Sequence, residues 1–132
     1  AEKWYIRFMR PLSTFWGKVK KGKSRGKNLG FPTANIALHK NIPEGVYVSE
    51  VIIANKVYSA ATFIGSAKTF GEKEYKAENY ILDFDKNIYG KWITVRLFKM
   101  LRGNKKFTSQ QALIKEMELD VLAARKFFEK SF

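Results

Sequence analysis

Along most of the chain, apolar and polar residues alternate with a period near two. Thr14–Lys20 (T-F-W-G-K-V-K) mixes aromatic and β-branched residues with charge, which predicts a strand. Gly45–Ala54 and Lys56–Ile64 are β-rich and separated only by the turn-prone Asn55, the pattern of a hairpin. Two further strands are expected at about Ala77–Phe84 and Trp92–Met100, joined across Asp85-Lys86-Asn87, with a loop at Arg102-Gly103-Asn104. Lys21–Phe31 carries Gly22, Gly26 and Gly30 and almost no apolar side chain, so it supports neither period and reads as a loop. After Phe107 the period lengthens to that of a helix. Leu113, Met117, Val121, Ala124 and Phe128 fall on one face, and Thr108 with Gln111 has capping-box spacing, so one amphipathic helix is expected over 108–130. Short antiparallel strands followed by one helix predict a mainly β fold, a small closed or nearly closed barrel with the helix packed against it.

Composition narrows the class. The chain has 132 residues, 45% of them hydrophobic, which suits a single domain over 1–132 with a linker-like lead at 1–10. Eleven Phe, six Tyr and three Trp are far too many aromatics for a disordered basic tail. No apolar run approaches the roughly 18 residues that cross a bilayer, so no membrane partner is expected. The chain has no cysteine and a single histidine, His39. That excludes disulfides, thiolate zinc sites, cysteine nucleophiles and multi-histidine cages, and makes a reducing, cytoplasmic setting the default expectation.

Charge changes the picture most. The net charge is +13 and is concentrated at the N-terminal end, where residues 1–43 hold ten basic residues and one acid. Six of the ten positions from Lys18 to Lys27 are Lys or Arg, which repel one another unless they stay solvated or face an anion. Polyphosphate or nucleic acid is the natural partner class, and a solvated basic face is the alternative.

Gly17–Ser24 (G-K-V-K-K-G-K-S) satisfies the P-loop expression letter for letter. That motif needs a helix immediately after the loop, and Gly26, Gly30 and Pro32 forbid one here. A basic, glycine-punctuated loop can still surround phosphate with backbone amides and cationic side chains. Behind it, Thr33 and Asn35 in P-T-A-N place a hydroxyl and a carboxamide on one side of an extended segment. Neutral oxygens suit a magnesium ion that already receives anionic oxygens from a nucleotide, and they equally suit the capping of a turn.

The stretch Gly22–Asn35 (G-K-S-R-G-K-N-L-G-F-P-T-A-N) closely resembles the phosphate-binding loop and P-T-A-N signature of riboflavin kinases. The resemblance continues through Pro43-x-Gly45-Val46-Tyr47, Ile64-Gly65, Glu78-x-x-Ile81-Leu82-Asp83-Phe84, Ile88-Tyr89-Gly90-Lys91, Leu101-Arg102 with Phe107, and Asp120, covering about residues 11–128. It implies a six-stranded antiparallel Greek-key barrel with a C-terminal helix that transfers the ATP γ-phosphate to the ribityl 5′-hydroxyl of riboflavin, forming FMN and ADP. It also implies roles: Glu78 as catalytic base, Thr33 and Asn35 as ligands of magnesium and the nucleotide phosphates, Gly22, Lys27 and Tyr89 at the nucleotide, and Arg102, Lys105 and Phe107 along the flavin. A Glu alone in a strand would otherwise be read as a surface acid.

The chain departs from the family pattern at Lys68, at Tyr80 where histidine is frequent, and at Phe63, which either fills the barrel differently or narrows the site. In many bacteria the kinase module is joined to a domain that adenylylates FMN. One histidine cannot supply the H-x-G-H motif of that chemistry, so no FAD synthesis is expected from these residues, although an FAD synthetase domain fits a longer parent chain. Two competing readings are a basic barrel that binds single-stranded nucleic acid, disfavoured because it has no use for Glu78 or P-T-A-N, and a catalytically inactive flavin-binding module.

Overall fold

The computed structural model describes residues 9–21, 33–66 and 75–129. Six strands, β1 (Ser13–Lys18), β2 (Ala34–Ala37), β3 (Gly45–Ile53), β4 (Lys56–Gly65), β5 (Lys76–Ile81) and β6 (Trp92–Arg102), precede the helix α1 (Gln110–Glu129). All neighbours are antiparallel in the order β1-β6-β3-β4-β5-β2. The connections β2–β3 and β5–β6 each pass two strands, the Greek-key pattern. An isolated bridge between Lys20 and Asn35 joins the two outermost strands, so the sheet is nearly closed into the expected barrel.

Alternation sorts each strand into an inner and an outer face. Tyr47, Val51 and Ile53 of β3, Ala60 and Ile64 of β4, Ala77 and Ile81 of β5, and Ile93, Val95 and Leu97 of β6 fill the interior with Phe15 and Ile36. Among these apolar side chains lie three polar ones with no solvent exposure, Ser49, Thr62 and Asn79. On the outer face, Val48, Ala61, Leu82 and Phe98 pack against Ala124 and Phe128 of α1, with Tyr80, Val121 and Phe127 at the margin. The helix therefore docks through its C-terminal half, while Leu113 and Met117 of the expected apolar stripe stay half-buried.

Boundaries shift where local chemistry competes with the pattern. Thr108 is not the cap: the Ser109 hydroxyl accepts the Ala112 N–H at 3.1 Å, so the helix begins at Gln110 and Gln111 closes no capping box. The hairpin turn takes two residues, Ala54 and Asn55, with φ of 49° and 69°, the left-handed pair that matches the twist of the flanking strands. β5 ends at Ile81 rather than Phe84, because Asp83 adopts a φ of 56° and turns the chain. β6 runs on to Arg102, two residues past the expected end.

Gly45 opens β3 where a side chain has no room, since a Cβ there would stand 2.7 Å from the Arg102 carbonyl oxygen. Gly45→Ala is expected to destabilise the domain by roughly 1–3 kcal/mol. A lowered urea midpoint at constant m-value would show it, and an unchanged midpoint would mean that the β3–β6 end yields without cost.

Candidate active site

The site is built by strand register. Residues directly opposite one another on neighbouring strands share a face. Arg102 pairs with Val46, Val46 with Phe63, Phe63 with Glu78 and Glu78 with Asn35, and Asn35 bridges to Lys20. These six residues form one row that crosses β6, β3, β4, β5 and β2 and ends at Lys20, two residues past β1. Glu50, four residues from Val46, pairs on this outer face with Arg96, and Tyr80, two from Glu78, packs under the helix. The row is therefore outside the barrel.

The pairing mode of Asn35 and Glu78 follows from one main-chain hydrogen bond. The Lys20 N–H donates to the Asn35 carbonyl at 2.7 Å, so the main-chain polar groups of Asn35 point toward β1 and away from β5. Asn35 and Glu78 are thus a non-hydrogen-bonded antiparallel pair, the kind whose Cα atoms approach to about 4.5 Å and whose side chains stand closest. Asn35 is 7% exposed and its Oδ1 has no hydrogen-bond partner, the one such buried side-chain atom among the described residues. Its Nδ2 reaches back only loosely to the Thr33 carbonyl at 3.5 Å. A buried, unpaired acceptor is costly, and a ligand with a positive charge relieves that cost.

Glu78 is 22% exposed at the side chain, with Oε1 3.3 Å from Lys76 Nζ, two residues earlier on the same face of β5. Thr33 directly precedes β2. No cluster of three or more His, Cys, Asp or Glu occurs among the described residues. The donor set is one of neutral oxygens beside a single carboxylate, which fits a magnesium ion carried on nucleotide phosphates better than a metal caged by protein alone.

Tyr89 occupies a turn closed by the Lys91 N–H on the Ile88 carbonyl at 3.0 Å, with Gly90 at a φ of 80°, as a type II turn requires at its third residue. Hydrogen bonds from Gly90 N–H to the Val19 carbonyl and from Val19 N–H to the Lys91 carbonyl tie this turn to the residue preceding Lys20. Exposed Tyr89 is thereby anchored beside the strand end that bridges to Asn35. Gly22, Lys27 and Lys68 lie outside the described residues.

Arg102, Lys105 and Phe107 come together at the other end of the row, three strands or about 14 Å along the sheet from Glu78. Arg102 donates from Nε and Nη2 to both carboxylate oxygens of Asp120, at 3.0 and 2.9 Å, and lies 3.6 Å from Glu116. Its Nη1 reaches the Gly103 carbonyl at 3.4 Å. The edge of the guanidinium is committed to the helix, so stacking is what Arg102 offers a flat ring, and its carbon lies 5.6 Å from the Phe107 ring centre. Lys105 Nζ sits 6.0 Å from the same ring and 3.8 Å from Glu116. Phe107 also lines a groove of about 300 Å³ with Lys105, Thr108, Ala112 and Glu116.

Phe63 does not fill the barrel, because its parity sets it outside, between Val46 and Glu78. Asp120 belongs to the family resemblance, but nothing in the sequence pairs it or Glu116 with Arg102, and the Lys76–Glu78 pair becomes visible only once β5 is known to be a strand. The interior trio of Ser49, Thr62 and Asn79 carries no sequence signal, because isolated polar residues in apolar strands resemble ordinary surface positions.

An antiparallel barrel that sets one carboxylate beside neutral oxygens has a make-up suited to phosphoryl transfer. A sequence model for riboflavin kinase matches residues 10–128. The chain is 45% identical over 117 residues to the trifunctional protein RibF/MnmA of Mycoplasmoides gallisepticum, covering 86% of this chain and 18% of that protein. It is 33% identical over 118 residues to the bifunctional riboflavin kinase/FMN adenylyltransferase of Bacillus subtilis, covering 85% and 37%. The fold superimposes on the crystal structure of riboflavin kinase from Trypanosoma brucei with a TM-score of 0.62 at 26% identity, covering 89% and 80%. The chain belongs to the riboflavin kinase family. It spans well under half the length of the bacterial relatives it matches.

Asn35→Ala removes an acceptor that makes no bond, so the melting temperature is expected to stay level or rise slightly. The stabilisation that Mg·ADP confers in a thermal shift assay should fall sharply. A large loss of intrinsic stability with undiminished Mg·ADP stabilisation would assign Asn35 to structure alone.

Proposed function

We propose that this domain is an ATP-dependent riboflavin kinase, moving the γ-phosphoryl group of ATP to the ribityl 5′-hydroxyl to give FMN and ADP. The observation that carries this reading is the Asn35–Glu78 pair, a carboxylate facing a buried, unpartnered carboxamide oxygen across the closest kind of strand pairing. Glu78 accepts the 5′-hydroxyl proton as that oxygen bonds to the γ-phosphorus and the bond from phosphorus to the β,γ-bridging oxygen breaks. Thr33 and Asn35 hold magnesium through neutral oxygens. When bound, the ion neutralises charge on the β- and γ-phosphates. Gly22 and Lys27 contact the nucleotide from the basic loop, and Tyr89 flanks it from its turn.

The flavin lies along the row toward Arg102, Lys105 and Phe107. That direction places an aromatic and cationic surface at the ring end and the carboxylate at the ribityl end. Val46 and Phe63 occupy the row between them, an apolar stretch suited to a flat ring. No described helix is long and apolar enough to cross a membrane. An FMN adenylyltransferase domain in a longer parent chain would consume the product, as the names of the bacterial relatives imply for those proteins.

Chromatographic detection of FMN tests the reading: product should form only when riboflavin, ATP and magnesium are all present, and EDTA should abolish it. Quenched riboflavin fluorescence without FMN would leave an inactive flavin-binding module. Oligonucleotide binding with no response to riboflavin would leave the nucleic-acid barrel. Glu78→Gln should lower kcat about 10²-fold or more with flavin binding retained, and near-parental turnover would remove Glu78 from the role of base.

A further inference from the structure

The barrel interior contains a one-way chain of hydrogen bonds that ends on the metal-binding segment. Thr62 Oγ1 donates to Asn79 Oδ1 at 2.7 Å, and Asn79 Nδ2 donates to the Ala34 carbonyl at 3.0 Å. Ser49 Oγ lies 2.6 Å from Thr62 Oγ1. Because the single Thr62 hydroxyl proton goes to Asn79, Ser49 is the donor in that pair. The carboxamide orientation is likewise determined, since a flipped Asn79 would set its oxygen against the Ala34 carbonyl. All three side chains are fully buried in an apolar barrel, where such groups are costly unless every partner is present.

The chain ends between the two candidate metal ligands: Ala34 is the residue between Thr33 and Asn35, and Asn79 is the neighbour of Glu78. β2 has only four residues, paired to β5 on one side and held on the other by the Lys20–Asn35 bridge. So short a strand has few ladder bonds to fix its position. A side-chain bond from β5 to its first carbonyl restrains it.

We propose that Asn79 is a positioning residue for phosphoryl transfer: from inside the barrel it sets where Thr33 and Asn35 stand relative to Glu78, and so tunes capture of magnesium-bound nucleotide. The proposal rests on the kinase reading above.

The test compares Asn79→Leu with Ser49→Ala, which breaks the same chain at its far end and serves as the matched structural control. Both should lower the melting temperature. Only Asn79→Leu should raise the magnesium concentration for half-maximal FMN formation, by about tenfold, and weaken Mg·ADP binding in calorimetry to a similar degree, with the KM for riboflavin unchanged within about twofold. Should Asn79→Leu fail to fold, Thr62→Val, which removes the donor that orients the carboxamide, is expected to shift the same two readouts in the same direction. Parental magnesium and Mg·ADP titrations in the folded Asn79 or Thr62 variant would overturn the proposal and leave the chain a purely structural one. A parent domain that neither binds Mg·ADP nor forms FMN would instead remove the kinase reading, and this inference with it.

Discussion

The hydrogen bond from the Lys20 N–H to the Asn35 carbonyl is the constraint on which the site depends. It does two things at once. It joins the outermost strands of an otherwise open sheet, and it turns the main chain of Asn35 toward β1. Strand geometry then leaves no choice about β5: Asn35 and Glu78 must be the close, non-hydrogen-bonded pair. A one-residue slip of β2 would exchange its faces, moving Asn35 into the core and an apolar residue to the site.

The two faces of the sheet divide the labour. Among the described residues the fully buried polar side chains of the interior are the Ser49–Thr62–Asn79 chain, and the outer face is shared between helix docking and the row proposed as the site. Phe98, Val48 and Ala61 are covered by Ala124 and Phe128, and the row from Arg102 to Asn35 lies outside that cluster. Arg102 links the two regions, since its bidentate bond to Asp120 fastens the middle of α1 to the end of β6. That role occupies the Nε–Nη2 edge of the guanidinium and leaves its flat face turned to Phe107.

The strands were legible where alternation is strong, and the long hairpin of β3 and β4 agrees within a residue at each end. β2 was legible only as an extended segment, because four residues carry too little period and its existence as a strand depends on partners distant in sequence. The helix start was misplaced by two residues because Thr108 and Ser109 are both competent caps, and the path of the chain after Phe107 decides between them. Phe63 was ambiguous for a similar reason: parity relative to the core depends on which neighbours are inside.

What the sequence determined by itself was the class of chemistry: local patterns specify a basic glycine loop, a P-T-A-N segment, a strand-borne glutamate and a closing amphipathic helix, and their order marks the family. What only the tertiary structure decided was which of those residues meet. Asn35 and Glu78 are forty-three positions apart, and Ala34 and Asn79 forty-five, and no local propensity links either pair. Their apposition follows from barrel closure, a register set by long-range main-chain hydrogen bonds, and those bonds exist only once all six strands are in place.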